Sequence, residues 1–306
     1  MRSAVAATKL FAVAFGVLVA GCGAQHLASS SFDGAPLPLG VVNAGRLSDL
    51  AVTDLGTGAV EVLDGSYRLI DTLRAGLNGP LGDYYDARGN LYVANWPGIN
   101  VTEYDRTLRQ IYTYSQDLVD PIGVTVDGAG NVYVADGGGG KPSVVVEYPQ
   151  RRKVPRAACF TGLLNGGVAV DAAGDVFVSG DGSLRGGGFL REFKHGLKGC
   201  HARVLRVAFG SVGGLQVDNN GNLVVSAEFA GVVVMPPPYT SKAFRFKVTP
   251  DSHNIALTRK NDLIFIADPS FYGHQVVVAT YPQGKYVTTL NGSNGLSVPV
   301  GVATYP

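Results

Sequence analysis

The chain predicts an all-β fold, a six-bladed β-propeller with four antiparallel strands per blade, closed by its own last strand joining the N-terminal blade. Three observations carry this. One strand–turn–strand template recurs five times. Its turns are spaced at repeat length. The two chain ends each hold the half of a blade that the other lacks.

The template is an apolar strand, a turn of the form Asp-x-x-Gly-Asn, and a second apolar strand. Its clearest copy is Pro121-Ile-Gly-Val-Thr-Val-Asp-Gly-Ala-Gly-Asn-Val-Tyr-Val-Ala-Asp136. The other copies occupy residues 80–95, 167–179, 214–226 and, in degenerate form, 254–268. The turn residue falls at Gly89, Gly130, Gly174, Gly221 and Asn261, in steps of 41, 44, 47 and 40. Repeats of about 40–50 residues that hold four strand-length pieces indicate propeller blades. Glycine before the second strand supplies the positive φ that a tight hairpin needs. The opening Asp accepts from backbone N–H groups two residues on. Asn261 fits the same place because Asn tolerates the left-handed conformation. The flanking strands are continuous β-branched and aromatic runs, as expected of strands buried on both faces.

Two further strands follow each pair. Third strands are expected at 59–64, 99–105, 143–149, 189–194, 231–235 and 275–281. Fourth strands are expected at 69–73, 110–115, 156–161, 203–209, 243–248 and 286–290. Residues 50–54 read as a second strand with no first strand before it. Residues 300–305 read as a first strand with nothing after it. Together they make the sixth blade. Each apolar side chain that the last strand buries contributes about 1.5–3 kcal/mol. A few of them match the whole stability of a domain, about 5–15 kcal/mol. Deleting residues 298–306 is therefore expected to abolish the cooperative thermal transition.

The first 21 residues read as a secretory signal. A basic start (Arg2, Lys9) precedes an apolar run from Leu10 to Ala20. At eleven residues the run is too short for a bilayer crossing of about 20 residues. The stretch Leu18-Val19-Ala20-Gly21-Cys22 resembles a bacterial lipobox. That resemblance implies cleavage before Cys22, lipidation of its sulfur and acylation of the new N-terminus. Several acyl chains anchor stably where one does not. The organisation expected is then a lipoprotein signal peptide at 1–21, a flexible tether at 22–38 and the propeller at 39–306. The protein would sit lipid-anchored and extracytoplasmic in a bacterial cell envelope, on the outer membrane where there are two. The alternative is an ordinary signal with a chance Cys.

Composition fits a β-rich, turn-rich protein. There are 42 Gly and 16% charged residues. Loss of Arg2 and Lys9 with the signal leaves 23 basic against 24 acidic residues. A near-neutral chain without a Lys/Arg block gives no footprint for nucleic acid. Beyond Cys22 only Cys159 and Cys200 remain. In an oxidising compartment they either pair as a disulfide or stand as two thiols. Metal binding is the weakest reading, with only His201 beside them.

The repeats resemble NHL-type six-bladed propellers, most closely at 121–136 and 80–95, over roughly residues 39–306. This resemblance implies fold more than activity, because propellers carry binding proteins, lactonases and lyases alike. In such proteins the start of the first strand and the loop after the second open on one face around the axis, which is the default site. Similar sugar lactonases of the gluconolactonase family hold calcium there, partly through Asn or Asp at the middle of Pro-x-Gly. Here that position holds Leu81, Ile122, Gly166, Gly213, His253 and Val300. No carboxylate or amide is present, and a hard cation needs about six oxygens, so neither metal nor cofactor is expected. The similar streptogramin lyases use a His/Glu pair. His253 is present, as a general base or as a space-filling His, but no Glu matches it.

A second ring follows the second strands: Asp54, Asn95, Asp136, Asp181, Glu228 and Asp268. These residues bind an ion or cationic ligand, or they cap the turns that follow. The same loops carry Trp96, Phe271 and Tyr272. Exposed aromatics suit a protein, peptide or glycan ligand, although Trp96 equally suits packing between blades. The function expected is a membrane-tethered binding or scaffold module. A hydrolase, lactonase or lyase centred on His253 is the alternative.

Overall fold

A computed structural model describes residues 50–306 except 163, 182–186, 206–210, 228–229, 241–243, 250 and 271–272. Cys22, the expected signal and tether, Glu228, Phe271 and Tyr272 lie outside the described residues.

Blade 1 contains β1 (Leu50–Asp54), β2 (Ala59–Leu63) and β3 (Leu69–Leu73). Blade 2 is β4 (Pro80–Tyr85), β5 (Leu91–Asn95), β6 (Asn100–Tyr104) and β7 (Gln110–Tyr114). Blade 3 is β8 (Pro121–Val126), β9 (Val132–Asp136), β10 (Ser143–Tyr148) and β11 (Ala157–Gly162). Blade 4 is β12 (Leu164–Val170), β13 (Val176–Asp181), β14 (Gly188–Phe193) and β15 (Ala202–Leu205). Blade 5 is β16 (Val212–Val217), β17 (Leu223–Ala227), β18 (Gly231–Met235) and β19 (Phe244–Phe246). Blade 6 is β20 (Asn254–Leu257), β21 (Leu263–Asp268), β22 (Gln275–Thr280) and β23 (Tyr286–Leu290).

The last strand, β24 (Pro299–Thr304), is the innermost strand of blade 1, in the order β24-β1-β2-β3. Leu50 faces Thr304 and Val52 faces Val302. Val300 and Val302 are buried. The ring therefore closes by its two ends, and all six sheets are antiparallel.

The hairpins form for the reason the template gives. Asp86 Oδ1 accepts from the N–H groups of Arg88 and Asn90 at 2.9 and 2.8 Å. Asp127, Asp171 and Asp218 repeat both bonds. Gly89 has φ 80° and Asn261 has φ 54°, as their turns require.

The core is distributed over six seams. Six clusters of buried residues each span two adjacent blades. One joins Val60, Val62 and Leu73 of blade 1 to Tyr85, Leu91 and Tyr104 of blade 2. Another joins Leu50, Val52 and Val302 of blade 1 to Phe265 and Val276 of blade 6. Every blade is thus buried on both faces, which explains the unbroken apolar strands.

Candidate functional site at the propeller axis

Each first strand runs from a rim face, where the loops after the second strands also emerge, to a turn face that carries the Asp-x-x-Gly-Asn hairpins. On the rim, the expected second ring does not close. Asp54, Asn95 and Asp136 occupy one shared position, facing Ala59, Asn100 and Val144 of their third strands, and Asp268 likewise faces Gln275. In blades 4 and 5 that position belongs to Gly180 and Ala227. Asp181 stands one residue further on, because the template there carries an extra residue after Ser179 and Ser226.

The shared position has a structural use. Asp136 is buried and accepts from the N–H groups of Val119 (2.7 Å), Asp120 (3.2 Å) and Gly138 (2.8 Å). Asp54 accepts from Thr57, Ser297 and Val298. Asn95 accepts from Asn78 N at 3.1 Å. Asp268 accepts from Ser270 N and from the Thr249 hydroxyl. Each side chain ties the end of its second strand to the loop entering the same blade. Among the described residues no group of three or more His, Cys, Asp or Glu is placed to hold a metal ion.

His253 does lie at the inner rim. Its Nδ1 is 3.0 Å from the Val300 carbonyl, its N–H donates to Ala267 O, and its carbonyl accepts from Gly214 N. It is a partly buried link between blades 5, 6 and 1. Burial, then the neighbouring Asp268 charge, raises the Asp251 carboxyl. Burial, then Asp136, raises that of Asp120. Trp96 stands 47% exposed beside Ile99, itself 47% exposed. Trp96 is therefore on the surface and not between blades.

Below the rim the axis is shut by backbone. Gly82, Gly123, Gly167, Gly214 and Gly301 occupy one template position on five inner strands, and Asn254 occupies it on the sixth. A Cβ on Gly82 would lie 2.5 Å from Ile122 O, and one on Gly167 would lie 2.9 Å from Gly214 Cα. The remaining throat is about 20 Å³, room for about one water. The next position is aliphatic on five strands (Val124, Val168, Leu215, Ile255, Val302) and Asp83 on the sixth. Asp83 is 7% exposed, and neither carboxyl oxygen has a hydrogen-bond partner. Burial holds its carboxyl well above the usual carboxylate range.

On the turn face the axis opens into a funnel of about 450 Å³. All six blades line it, through Tyr84, Thr125, Ala169, Gln216, Thr258 and Thr304 among others. Gln216 Oε1 accepts from Leu257 N at 2.7 Å, and Thr304 Oγ1 donates to Leu257 O at 2.6 Å. Asn219 Nδ2 donates to Arg259 O at 2.9 Å, fixing the mouth. No Asp, Glu, His, Cys or Lys is among the described residues of this lining, and Arg259 is its charged side chain. The polar side chains of this wall are phenols (Tyr84, Tyr85), Thr hydroxyls and the amides of Gln216, Asn219 and Asn261, groups that orient a ligand by hydrogen bonds. Sequence reasoning missed it. The available signal was a polar residue at the template position where three strands carry Ala169, Ala256 and Ala303.

Cys159 and Cys200 are joined as a disulfide across the seam of blades 3 and 4. It borders a groove of about 790 Å³ on the turn face.

No family model and no curated protein sequence matches this chain. Solved structures do. A chain of a nidogen/laminin complex superposes with TM-score 0.68 at 15% identity, over 85% of this chain and 98% of that one. A protein of unknown function from Bacteroides caccae gives 0.65 at 12%, over 84% and 98%. Virginiamycin B lyase from Staphylococcus aureus gives 0.59 at 7%, over 79% and 80%. At these identities the likeness is one of fold. The chain is a six-bladed β-propeller whose neighbours include both a binding protein and a lyase.

Proposed function

We propose that this protein is a non-catalytic binding propeller of NHL-type repeats. It is held by lipid at Cys22 on the outer side of a bacterial membrane, the outer membrane where there are two. Its ligand enters the turn-face funnel. The single observation carrying this reading is the funnel lining: six blades converge on a cavity of ligand size whose described side chains include no carboxylate, imidazole, thiol or amine. The disulfide supports an oxidising compartment. A small molecule, or the end of a peptide or glycan, fits the volume. The hydrolase, lactonase or lyase alternative would rest on His253 at the rim, whose Nδ1 is held against Val300 O, and the same screen tests it.

The test is a thermal-shift ligand screen on the purified chain, repeated with Gln216→Ala and His253→Ala. A stabilising ligand whose effect is lost with Gln216→Ala and kept with His253→Ala supports the funnel. The reverse pattern moves the site to the rim. Acylation is read separately, as a mass increase on Cys22 that Cys22→Ser abolishes.

A further inference from the structure

The turn face carries a charge that whole-chain composition hides. Most of its acids are engaged: Asp64 and Asp105 pair with Arg68 and Arg109, and the exposed Asp262 accepts from Thr258. Asp86, Asp127, Asp171 and Asp218 are engaged by the N–H groups of their own turns. Glu103, Glu147 and Glu192 are buried in the third strands and take up Arg151, Arg156 and Arg203. Other bases project from the turn tips. Arg88, Arg152, Lys153, Lys198, Arg259 and Lys285 are exposed, and among the described residues they make no ion pair and no side-chain hydrogen bond. They come from blades 2, 3, 4 and 6, with Arg259 at the funnel mouth and Arg152, Lys153, Lys198 and Lys285 on the turns between the outer strands. The rim face carries Asp120 and Asp251 near the axis, beside the buried Asp136 and Asp268, which loop N–H groups likewise engage, and it exposes the bases Arg74 and Lys141. Among the described residues, most of the exposed basic side chains that make no ion pair are gathered on the turn face.

A second observation concerns where the chain enters. Leu50 opens β1 at the turn-face end of its blade, opposite Thr304 of the funnel wall. The segment leading back to Cys22 therefore joins the ring on the basic side.

We infer that the turn face lies against an anionic lipid surface, with the rim directed away from it. Lysine and arginine tips are attracted to anionic headgroups within about one Debye length, roughly 8 Å at physiological salt. The choice of a bilayer as the partner rests on the proposed tether, since the charges alone would also suit a soluble anionic polymer.

The experiment is vesicle co-sedimentation of the full chain carrying Cys22→Ser, which removes the acyl anchor. Vesicles are either phosphatidylcholine alone or phosphatidylcholine with 30% phosphatidylglycerol (roughly the anionic content that gives a strong surface potential). The expected result is at least a tenfold preference for the anionic vesicles, lost at high salt. It should also be lost in the quadruple variant Arg88→Glu, Lys153→Glu, Arg259→Glu, Lys285→Glu, with Gln replacements giving an intermediate loss. All four positions are exposed turn tips, and an unchanged thermal transition checks folding. Equal capture by both vesicles, or anionic capture that survives charge reversal, overturns the inference. Tighter binding to soluble polyphosphate than to anionic vesicles replaces the bilayer with a polymer and overturns it too. Failure here leaves acylation of Cys22 standing, because the mass measurement reads that independently.

Discussion

The two ends of the propeller axis are built from similar residue types and use them differently. At the rim, carboxylates and amides from four blades converge, and their oxygens are occupied by N–H groups of the loops they hold. At the turn face the converging side chains are Tyr84, Thr125, Gln216 and Thr304, less conspicuous in sequence; Gln216 and Thr304 also hold the Leu257 backbone, yet together the four surround open space. The lesson is that a ring of acids around a propeller axis reports on loop anchoring before it reports on ligands. The buried N–H groups must find acceptors somewhere.

The largest effect should come from breaking a rim anchor. Asp136→Ala leaves three N–H groups without their acceptor, at about 1–3 kcal/mol each when buried. We expect a loss of about 4 kcal/mol in chemical denaturation with little change in ligand affinity. A neutral outcome for stability with loss of binding would reverse the roles given to the two faces.

Opening the turn-face side of the seam between blades 3 and 4 should cost somewhat less. Cys159→Ala with Cys200→Ala removes a link spanning 41 residues, and disulfides of this kind contribute about 2–4 kcal/mol. The same loss should follow reduction of the wild type, measured as a lowered melting temperature.

Between the faces, Asp83 should act in the opposite direction. Asp83→Val restores the aliphatic residue found on the other five strands and removes an unpaired buried carboxyl, so stability should rise by about 1–2 kcal/mol. The pH dependence follows from the raised carboxyl. Above about pH 4, where an unfolded Asp ionises, the folded state holds the proton more tightly than the unfolded state. Wild-type stability therefore falls as pH rises toward the folded pKa. The advantage of the Val variant should be smallest below pH 4 and full above the raised pKa. A gap that narrows with rising pH would contradict the unpaired state of Asp83.

The smallest effect belongs to the rim surface. Trp96→Ala should change stability by no more than about 0.5 kcal/mol, because the ring lies outside the packed seams.

Much of the ring was legible before any coordinates. The Asp-x-x-Gly-Asn turns, the apolar strand pairs and the complementary ends at 50–54 and 300–305 each have a local cause, so local reading finds them. Strand ends were less exact. The fourth inner strand begins at Leu164, ahead of the template, since Asn165 donates to Asp136 O of the neighbouring blade. The site was harder to read. Asp181 and Asp136 both follow a second strand in the sequence, and the register separates them through the extra residue after Ser179 and Ser226. Those two hydroxyls, with Thr53, donate to carbonyls of the next blade (Gly213, Ser252 and Leu81) where the other blades have Ala. The funnel is a property of six strands together and has no signature in any one of them. The gathering of exposed bases on the turn face is invisible to a sum of charges.

The claim on which the rest turns is that the working side of the axis is the turn face. Trp96, the single tryptophan, reports on the rim. A second protein with Trp96→Phe and Asn219→Trp moves the reporter to the funnel mouth. Titration of the strongest stabilising ligand should change the emission of the relocated reporter and leave that of Trp96 unchanged. A response from Trp96 with none from the funnel mouth would contradict the account.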